Sequence, residues 1–282
     1  LKVDPEHRPY NYCYMFTQEF STSTKLGIIL NGTVRIIGKD TESHLKDQVA
    51  PPMNREQLLF AALVQEPSID LVLCESVAGS GKTHSAFSNA MKLLDGNESY
   101  NSIIYIRNSV DDLGSPDEAI GFLSGNDEKM QVYLHPFYDT LEALVRNRLR
   151  NSKRKLTEEV VQEEVDNLIT QYGMTPMITL GLRGRTISDA VVIIDEAQNI
   201  SKATMSKVLS RIGKNSKVII LGSLRQIDSA YLTKYTSGLS VLLDATKKVD
   251  HPITLGAVTL KKVVRGKITQ FSEQLFSNTK DQ

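Results

Sequence analysis

The sequence contains no tryptophan and only two cysteines among its 282 residues. Cys13 and Cys74 are far apart along the chain, and so few thiols exclude the disulfide framework of a small secreted domain. No apolar run approaches the roughly 20 residues that a membrane-spanning helix needs, and no signal peptide is visible. These absences predict a cytoplasmic protein with reduced thiols and no membrane association.

A net charge of one sign is also missing, because 33 basic and 33 acidic side chains cancel. The total charge therefore does not indicate binding to nucleic acid, and only a local basic patch would do so. The length allows one large domain or one domain with an appendage.

A strand, a glycine-containing loop and a helix are predicted from residue 71 onwards. Residues 71–74 are a short apolar run before a turn, and residues 84–94 form a helix that Gly96 closes. Between them, residues 76–83 match a phosphate-binding loop at every position except the first, where serine replaces glycine. The predicted ATP-binding residues of this segment are Ser76, Val77, Ala78, Gly79, Ser80, Gly81, Lys82, Thr83 and His84.

The chemistry of a polyphosphate explains this spacing. Gly79 and Gly81 allow backbone N–H groups to approach phosphates closely, and the following helix adds unpaired N–H groups and a positive dipole end. Lys82 then reaches the β- and γ-phosphates, while the Thr83 hydroxyl binds Mg²⁺. An ordinary Gly/Ser turn is the alternative, which the flanking strand and helix disfavour.

A second apolar run, residues 191–194, ends in two carboxylates. It predicts a parallel strand that is covered on both faces, and ligands of such sheets bind at the carboxyl ends of the strands. We therefore expect Asp195 to hold Mg²⁺ and Glu196 to deprotonate or orient the attacking water. Acids after an apolar strand are common, so the prediction depends on the match at residues 76–83.

Residues 25–40 predict a β-hairpin, since apolar residues alternate on both sides of an Asn-Gly turn at residues 31–32. Two prolines at residues 51–52 follow and mark a boundary. We therefore expect a β-hairpin extension at residues 1–48 and an ATPase domain at residues 49–282.

Two further apolar runs, residues 102–107 and 217–221, predict buried strands. Residues 141–173 predict a pair of helices, which we interpret as a charged insertion at about residues 141–174. This segment holds a basic cluster at residues 146–155, followed by acidic residues. The cluster either contacts a phosphate backbone or forms a solvated face that is linked to the acids by salt bridges.

A glutamine lies shortly before the phosphate-binding loop, in the first turn of a predicted helix. Its amide offers one donor and one acceptor, which can pair with both edges of adenine. A solvated glutamine is the alternative, and the position before a phosphate loop favours adenine. Asn54 and Gln57 are therefore further ATP-binding candidates.

Taken together, these motifs resemble the PhoH family of ATPases, a RecA-like group related to superfamily one helicases. The resemblance extends from about residue 50 to residue 270, with Arg-Gly-Arg-Thr at residues 183–186 and Asp-Glu-Ala-Gln at residues 195–198 as its most typical motifs. The other matching segments are residues 54–57, 76–83, 121–125, 136–139, 211–213 and 237–239.

The resemblance implies an α/β RecA-like P-loop fold with a mainly parallel sheet. It also implies a Mg²⁺-dependent ATPase that forms a homo-oligomeric ring, a hexamer, and acts on single-stranded RNA.

The resemblance further implies that Gln226 senses the γ-phosphate, although an ordinary loop amide is the alternative. An arginine late in the chain, Arg265, is implied to reach the phosphates, within its own subunit or across an interface. Arg183 and Arg185 are candidates for nucleic-acid or trans contacts, and a pairing with carboxylates would explain them equally well. The residues expected to be catalytic are Lys82, Glu196, Gln226 and Arg265.

One departure from the family pattern concerns the expected sensor loop. Ser223 stands where the family has Asp in Gly-Asp-x-x-Gln, which puts one polar contact near the γ-phosphate in doubt. Two alternative functions follow: an ATP-binding oligomeric scaffold or regulator with slow hydrolysis, which Ser223 favours, and a DNA-directed motor, since no residue is recognisable as a reader of the 2′-hydroxyl.

Overall fold

A mixed β-sheet with helices on both faces forms the described part of the chain. The computed structural model describes residues 12–17, 24–30, 32–108, 127–150, 156–182, 184–228, 232–248 and 251–277. The strands are β1 (Tyr12–Thr17), β2 (Thr24–Leu30), β3 (Thr33–Ile36), β4 (Leu71–Ser76), β5 (Ser102–Arg107), β6 (Thr175–Ile178), β7 (Ala190–Asp195), β8 (Lys217–Gly222) and β9 (Leu255–Leu260). The helices are α1 (Lys39–Lys46), α2 (Arg55–Gln65), α3 (Lys82–Gly96), α4 (Asp127–Arg150), α5 (Glu158–Gln171), α6 (Lys202–Leu209), α7 (Gly238–Ala245) and α8 (Lys267–Ser277), with short 3₁₀ helices at Thr179–Leu182 and Ala197–Asn199.

Six neighbouring strands of the sheet are parallel and lie in the order β9-β4-β8-β7-β5-β6. Strands β4, β7 and β8 are buried along almost their whole length, because helices cover both faces of the sheet. All six strands end at the same edge, so the loop after β4 and the acids after β7 are separated there only by β8. The predicted α/β P-loop fold with a mainly parallel sheet is confirmed.

An antiparallel ribbon near the amino terminus extends this sheet. Strand β2 pairs with both β1 and β3, and β1 joins β9 through the pair Tyr12 and Ala257. The predicted hairpin turn lies between β2 and β3, with Gly32 at φ +78°, while Asn31 lies outside the described residues. Ile28 and Leu30 of the ribbon pack into the same core as the helices. The division of the chain at residue 48 stays a prediction.

Helices pack two apolar cores against the two faces of the sheet. The first core joins α1 to α5 to one face and includes Phe60, Phe87 and Tyr105. The second joins α6 and α7 to the other face and includes Ile194 and Met205. No helix in the described ranges is both long and apolar enough to cross a bilayer.

Helix α4 differs from the prediction because it begins at Asp127 rather than near residue 141. Phe137, in the first half of the helix, is fully buried and meets Phe87 edge to face, with ring centroids 5.6 Å apart. The apolar sides of α4 and α5 belong to the first core. The pair of helices is therefore observed, but it is packed into the core, and its interpretation as an insertion stays a prediction.

Two of the three described arginines in the predicted basic cluster at residues 146–155, Arg146 and Arg148, are paired with carboxylates. Arg146 lies 2.6 Å from Glu142 and also pairs with Glu158 at the start of α5. Residues 151–155 lie outside the described part of the chain. These pairs favour the interpretation as a salt-linked face over a contact with a phosphate backbone.

Candidate nucleotide-binding site

The phosphate-binding loop connects the end of β4 to the first turn of α3. Helix α3 begins at Lys82, two residues earlier than predicted, and Gly81 is its N-cap with φ +78°. Gly79 is also left-handed, with φ +69°. This conformation costs a residue with a Cβ roughly 1–2 kcal/mol, so glycine suits both positions. The loop therefore ends at a helix amino terminus, whose unpaired N–H groups bind phosphate.

Close packing gives a second reason for the two glycines. A Cβ on Gly79 would lie 2.9 Å from Thr269 Cγ2, and a Cβ on Gly81 would lie 2.9 Å from Gln57 Nε2. The Gly79 carbonyl also accepts a hydrogen bond from Val264 N at 2.9 Å. The loop is thus enclosed by α2 on one side and by the segment between β9 and α8 on another.

Asp195 and Glu196 lie against this loop. Thr83 Oγ1 donates a hydrogen bond to Asp195 Oδ2 at 3.1 Å, and Lys82 Nζ lies 3.3 Å from Glu196 Oε1. Glu196 has φ +52°, a conformation that is uncommon for residues with a side chain and that clusters at functional sites. The two segments that the sequence analysis identified separately therefore form one site.

The environment of the two carboxylates shifts their pKa values in opposite directions. Burial, followed by the neighbouring charge of Glu196, raises the pKa of Asp195. Burial acts in the same direction on Glu196, but the Lys82 ammonium and a hydrogen bond from Gln198 outweigh it and lower the pKa of Glu196. Glu196 is therefore an ionised carboxylate at neutral pH, as a base or a water-orienting group requires.

Thr83 and Asp195 bring two oxygen atoms that suit Mg²⁺, a hydroxyl and a carboxylate oxygen, next to each other. Mg²⁺ prefers oxygen ligands and is held at nucleotide sites by one or two protein groups together with water and substrate phosphates. A hydroxyl and a carboxylate oxygen 3.1 Å apart beside the phosphate-binding loop fit this ion. When bound, Mg²⁺ would neutralise charge on the phosphates.

Tyr105 is a site residue that the sequence analysis missed. It is fully buried in β5, and its hydroxyl donates a hydrogen bond to Asp195 Oδ2 at 3.1 Å. Tyr105 is paired in register with Ile193 of β7, so its side chain lies on the same face as Asp195, two residues further on. A tyrosine hydroxyl among the isoleucines at the centre of this strand was the signal that could have identified it.

Comparisons with known proteins agree with this geometry. The family model described as PhoH-like protein matches residues 49–277. The chain belongs to the PhoH-like family. Protein PhoH2 of Bacillus subtilis (strain 168) is 30% identical over 226 residues, which cover 79% of this chain and 47% of the relative. A PhoH-like protein of the same strain is 36% identical over 198 residues, which cover 65% and 56%.

The chain spans about half the length of the curated PhoH-like relatives it matches. Among solved structures it is similar to the crystal structure of Pif1 helicase from Candida albicans, with a TM-score of 0.39 and 15% identity, covering 80% of this chain and 44% of that one. The family assignment depends on the sequence match and the site, and not on this structural likeness.

Gln198 connects the acidic pair of this PhoH-like chain to the loop after β8. Its Nε2 donates hydrogen bonds to Glu196 Oε2 and, at 2.9 Å, to the carbonyl of Gln226, while its Oε1 accepts one from Ser223 N at 3.0 Å. Gly222 makes room for this amide, because a Cβ there would lie 2.8 Å from Gln198 Oε1. The loop is thereby fixed relative to Glu196, a role that the Asp-Glu-x-Gln motif alone did not reveal.

The expected γ-phosphate sensor, Gln226, lies in this loop. Its backbone N–H donates to Ser223 O at 3.0 Å and its carbonyl accepts from Gln198. Its side chain is half-buried and has no hydrogen-bond partner among the described residues. The amide is therefore free to contact a ligand, and its role as a sensor stays a prediction.

Asn54 and Gln57 lie next to the phosphate-binding loop and have structural contacts there. Asn54 caps α2, since its Oδ1 accepts a hydrogen bond from Gln57 N at 3.0 Å. The buried Gln57 side chain donates to Ser80 O at 2.9 Å and accepts from Met53 N at 2.7 Å. Pairing with adenine would require Gln57 to exchange these two contacts, and the adenine assignment stays a prediction.

Arg265 and His84 lie together beside the loop. Arg265 N donates to Gly79 O at 3.3 Å. Burial, followed by the Arg265 charge, lowers the pKa of His84, so the imidazole is neutral at pH 7. The Arg265 backbone therefore lies beside the loop of its own chain, while the side chain is exposed; contact of this side chain with the phosphates, in its own subunit or across an interface, stays a prediction.

The other predicted contacts are distributed around the loop. Val77 and Ala78 are half-buried, and the hydroxyls of Ser76 and Ser80 are buried without a hydrogen-bond partner in the described part of the chain. Such orphaned hydroxyls are uncommon, and a ligand in the loop would supply a partner.

Arg183 lies outside the described residues. Arg185 is exposed and forms no ion pair within the described ranges, so its nucleic-acid or trans role stays a prediction.

Proposed function

We propose that this PhoH-like chain is a Mg²⁺-dependent ATP hydrolase. The observation that carries the proposal is the pair of contacts between the loop and the acids, Lys82 to Glu196 at 3.3 Å and Thr83 to Asp195 at 3.1 Å. Groups suited to phosphate, metal and water therefore lie within one site at the amino end of α3. Membership of the family supports a nucleoside triphosphate as the substrate.

Each polar side chain of the site has a role in the proposed reaction. Thr83 and Asp195 hold Mg²⁺, and Tyr105 orients the Asp195 carboxylate. Lys82 binds the phosphates and keeps Glu196 ionised. Glu196, which is ionised, orients the attacking water and accepts its proton.

Gln226 and Arg265 complete the proposed catalytic set. The free amide of Gln226 contacts the γ-phosphate, and Gln198 fixes the loop that carries it. Arg265, whose backbone is hydrogen-bonded to Gly79, contributes positive charge at the phosphates. Where an arginine stabilises the transferring phosphoryl group, it contributes about 10³–10⁵ in rate.

We further propose that the chain acts in the cytoplasm as a homo-oligomeric ring, a hexamer, that couples hydrolysis to single-stranded RNA. The described residues form one parallel sheet with one phosphate-binding loop. In the proposed ring, a neighbouring subunit would complete each site. The exposed Arg185 is a candidate for such a contact. The other candidates are a slowly hydrolysing scaffold, which Ser223 favours, and a DNA-directed motor.

Steady-state ATP hydrolysis, measured alone, with single-stranded RNA and with single-stranded DNA, separates these functions. We expect Lys82→Ala to reduce the rate to background, and Glu196→Gln to retain ATP binding while lowering kcat. Stimulation by RNA alone supports the main proposal, and stimulation by DNA alone supports the motor. A wild-type rate no faster than that of Glu196→Gln supports the scaffold. Light scattering with ATP and Mg²⁺ tests the ring, which a monomeric mass would contradict.

A further inference from the structure

A second cleft, of about 780 Å³, opens beside the phosphate-binding loop at the carboxyl edge of the sheet. Its walls are the loop after β8 and the segment after β9. The charged residues that line it are three exposed cations and one acid: Arg225, Lys261, Lys262 and Glu75. None of the three cations forms a salt bridge with any described carboxylate. The whole chain carries no net charge, so the excess of positive over negative side chains is local to this cleft.

The floor of the cleft lies on the opposite face of the sheet from α3. Glu75 and Thr259 are register partners on β4 and β9. Each lies two residues after Leu73 or Ala257 on the same strand and therefore on the same face, and Leu73 and Ala257 pack into the core on the side away from α3. The nucleotide phosphates would bind at the amino end of α3, so the cleft adjoins the nucleotide site and shares Ser76 and Val77 of the loop with it.

Two lysines of the cleft are held by the helix that precedes the phosphate-binding loop. Lys261 N and Lys262 N both donate hydrogen bonds to Glu56 Oε2, at 2.7 and 2.9 Å. The next residue of α2, Gln57, contacts Ser80 of the loop. A ligand on these lysines would therefore act on a segment that is tied to the nucleotide site.

The third cation is tied to the acidic pair. Arg225 lies in the turn between Ser223 and Gln226, and both of these residues are hydrogen-bonded through their backbone to Gln198. Gln198 in turn donates to Glu196. A ligand on Arg225 would therefore act two hydrogen bonds away from the proposed base.

We propose that this cleft binds the phosphodiester backbone of a single-stranded nucleic acid through Arg225, Lys261 and Lys262. Cations on two walls of an open cleft suit a chain of phosphates, whereas the cores of protein–protein interfaces are depleted in lysine. Contacts to phosphates carry no base preference, so binding is independent of sequence. The coupling of this ligand to hydrolysis rests on the proposed ATPase function, but the binding does not.

The test is the salt dependence of binding to a labelled oligouridylate, followed by fluorescence anisotropy at a series of KCl concentrations. Each substitution, Arg225→Gln, Lys261→Gln or Lys262→Gln, should reduce the slope of log K against log[KCl] by about 0.7, the value for one phosphate contact with a single strand. The matched control is Lys214→Gln, an exposed cation that precedes β8 and so lies at the opposite edge of the sheet. It should leave the slope unchanged.

ATP hydrolysis without nucleic acid, measured on the same variants, should match the wild type, while stimulation by RNA should be lost in the triple variant. Unchanged salt slopes would overturn the proposal. A raised KM for ATP would assign the cleft to the nucleotide site, and a changed oligomeric mass with unchanged RNA affinity would assign it to an interface between copies. Failure of the ATPase proposal is distinguishable, because the wild type would then not hydrolyse ATP although the three substitutions still reduced the salt slope.

Discussion

The buried amine of Lys217 gives the sharpest prediction about stability. Lys217 is the first residue of β8, and its Nζ donates hydrogen bonds to Val64 O at 2.7 Å and to Glu66 O at 2.6 Å, at the end of α2. Burial lowers the pKa of Lys217 from 10.5 to about 8, although the charges of Glu66 and Asp70 oppose the shift. This lysine therefore anchors the helix whose other end contacts the phosphate-binding loop.

The sign of the pH dependence follows from the two titrations of Lys217. The folded chain releases the proton near pH 8, whereas the unfolded chain keeps it until about pH 10.5. Because the unfolded state binds more protons in this window, the contribution of Lys217 to the free energy of unfolding rises with pH. From about pH 7.5 to about pH 9.5, the difference between the two titration curves amounts to about 2 kcal/mol.

Urea unfolding of the wild type and Lys217→Met at several pH values measures this contribution. The buried free thiols Cys13 and Cys74, whose pKa values burial raises, oppose the trend at high pH. They are present in both proteins, so the difference between the two isolates the lysine. We expect this difference to change by about 2 kcal/mol in favour of the wild type between about pH 7.5 and about pH 9.5. A difference that is independent of pH would refute the reasoning.

Three further substitutions test the site. Gly81→Ala should weaken ATP binding about 10-fold in calorimetry, because left-handed backbone with a Cβ costs about 1–2 kcal/mol and this Cβ would also meet Gln57 Nε2 at 2.9 Å. An unchanged affinity would contradict this. Gln198→Ala should lower kcat about 10- to 100-fold at unchanged KM, since losing a hydrogen bond to a charged group costs about 1.5–3 kcal/mol; an unchanged kcat would show that Glu196 is held without it. Asn54→Ala should lower the free energy of unfolding by about 1 kcal/mol through loss of the N-cap, whereas a raised KM for ATP at unchanged stability would make Asn54 a nucleotide ligand.

Three central strands could be predicted from the sequence to within about one residue, whereas β4 extends two residues beyond its predicted end. Strands β5, β7 and β8 are continuous runs rich in β-branched residues, and burial on both faces demands such runs. Strand β6, Thr-Pro-Met-Ile, was not recognised because it is short and contains a proline, which the edge of the sheet tolerates. Strand β9 was missed because Gly256 interrupts its pattern, and the close approach of Ile69 that requires this glycine is a tertiary contact.

The parts of the site that consist of short sequence motifs could be predicted from the sequence. Residues 76–83 and the acids at 195 and 196 are motifs of a few residues each, and the end of a strand places both at one edge of the sheet. The contacts of Tyr105 and Gln198 depend instead on which strands are neighbours, with β5 and β8 on either side of β7. The spacing of residues along the chain carries no information about that order.

The side chain at position 223 does not hold its loop against the acidic pair. The connection from this loop to the acidic pair uses the backbone N–H of Ser223, which donates to Gln198 Oε1 at 3.0 Å, and the backbone carbonyl of Gln226. Neither group depends on the side chain at position 223, so an aspartate is not needed to hold the loop against Glu196. The scaffold alternative concerns a different point, the missing polar side chain near the γ-phosphate, which these backbone hydrogen bonds do not replace. Substitution of Gln198, rather than of Ser223, is therefore the change that would disconnect the loop from the proposed base.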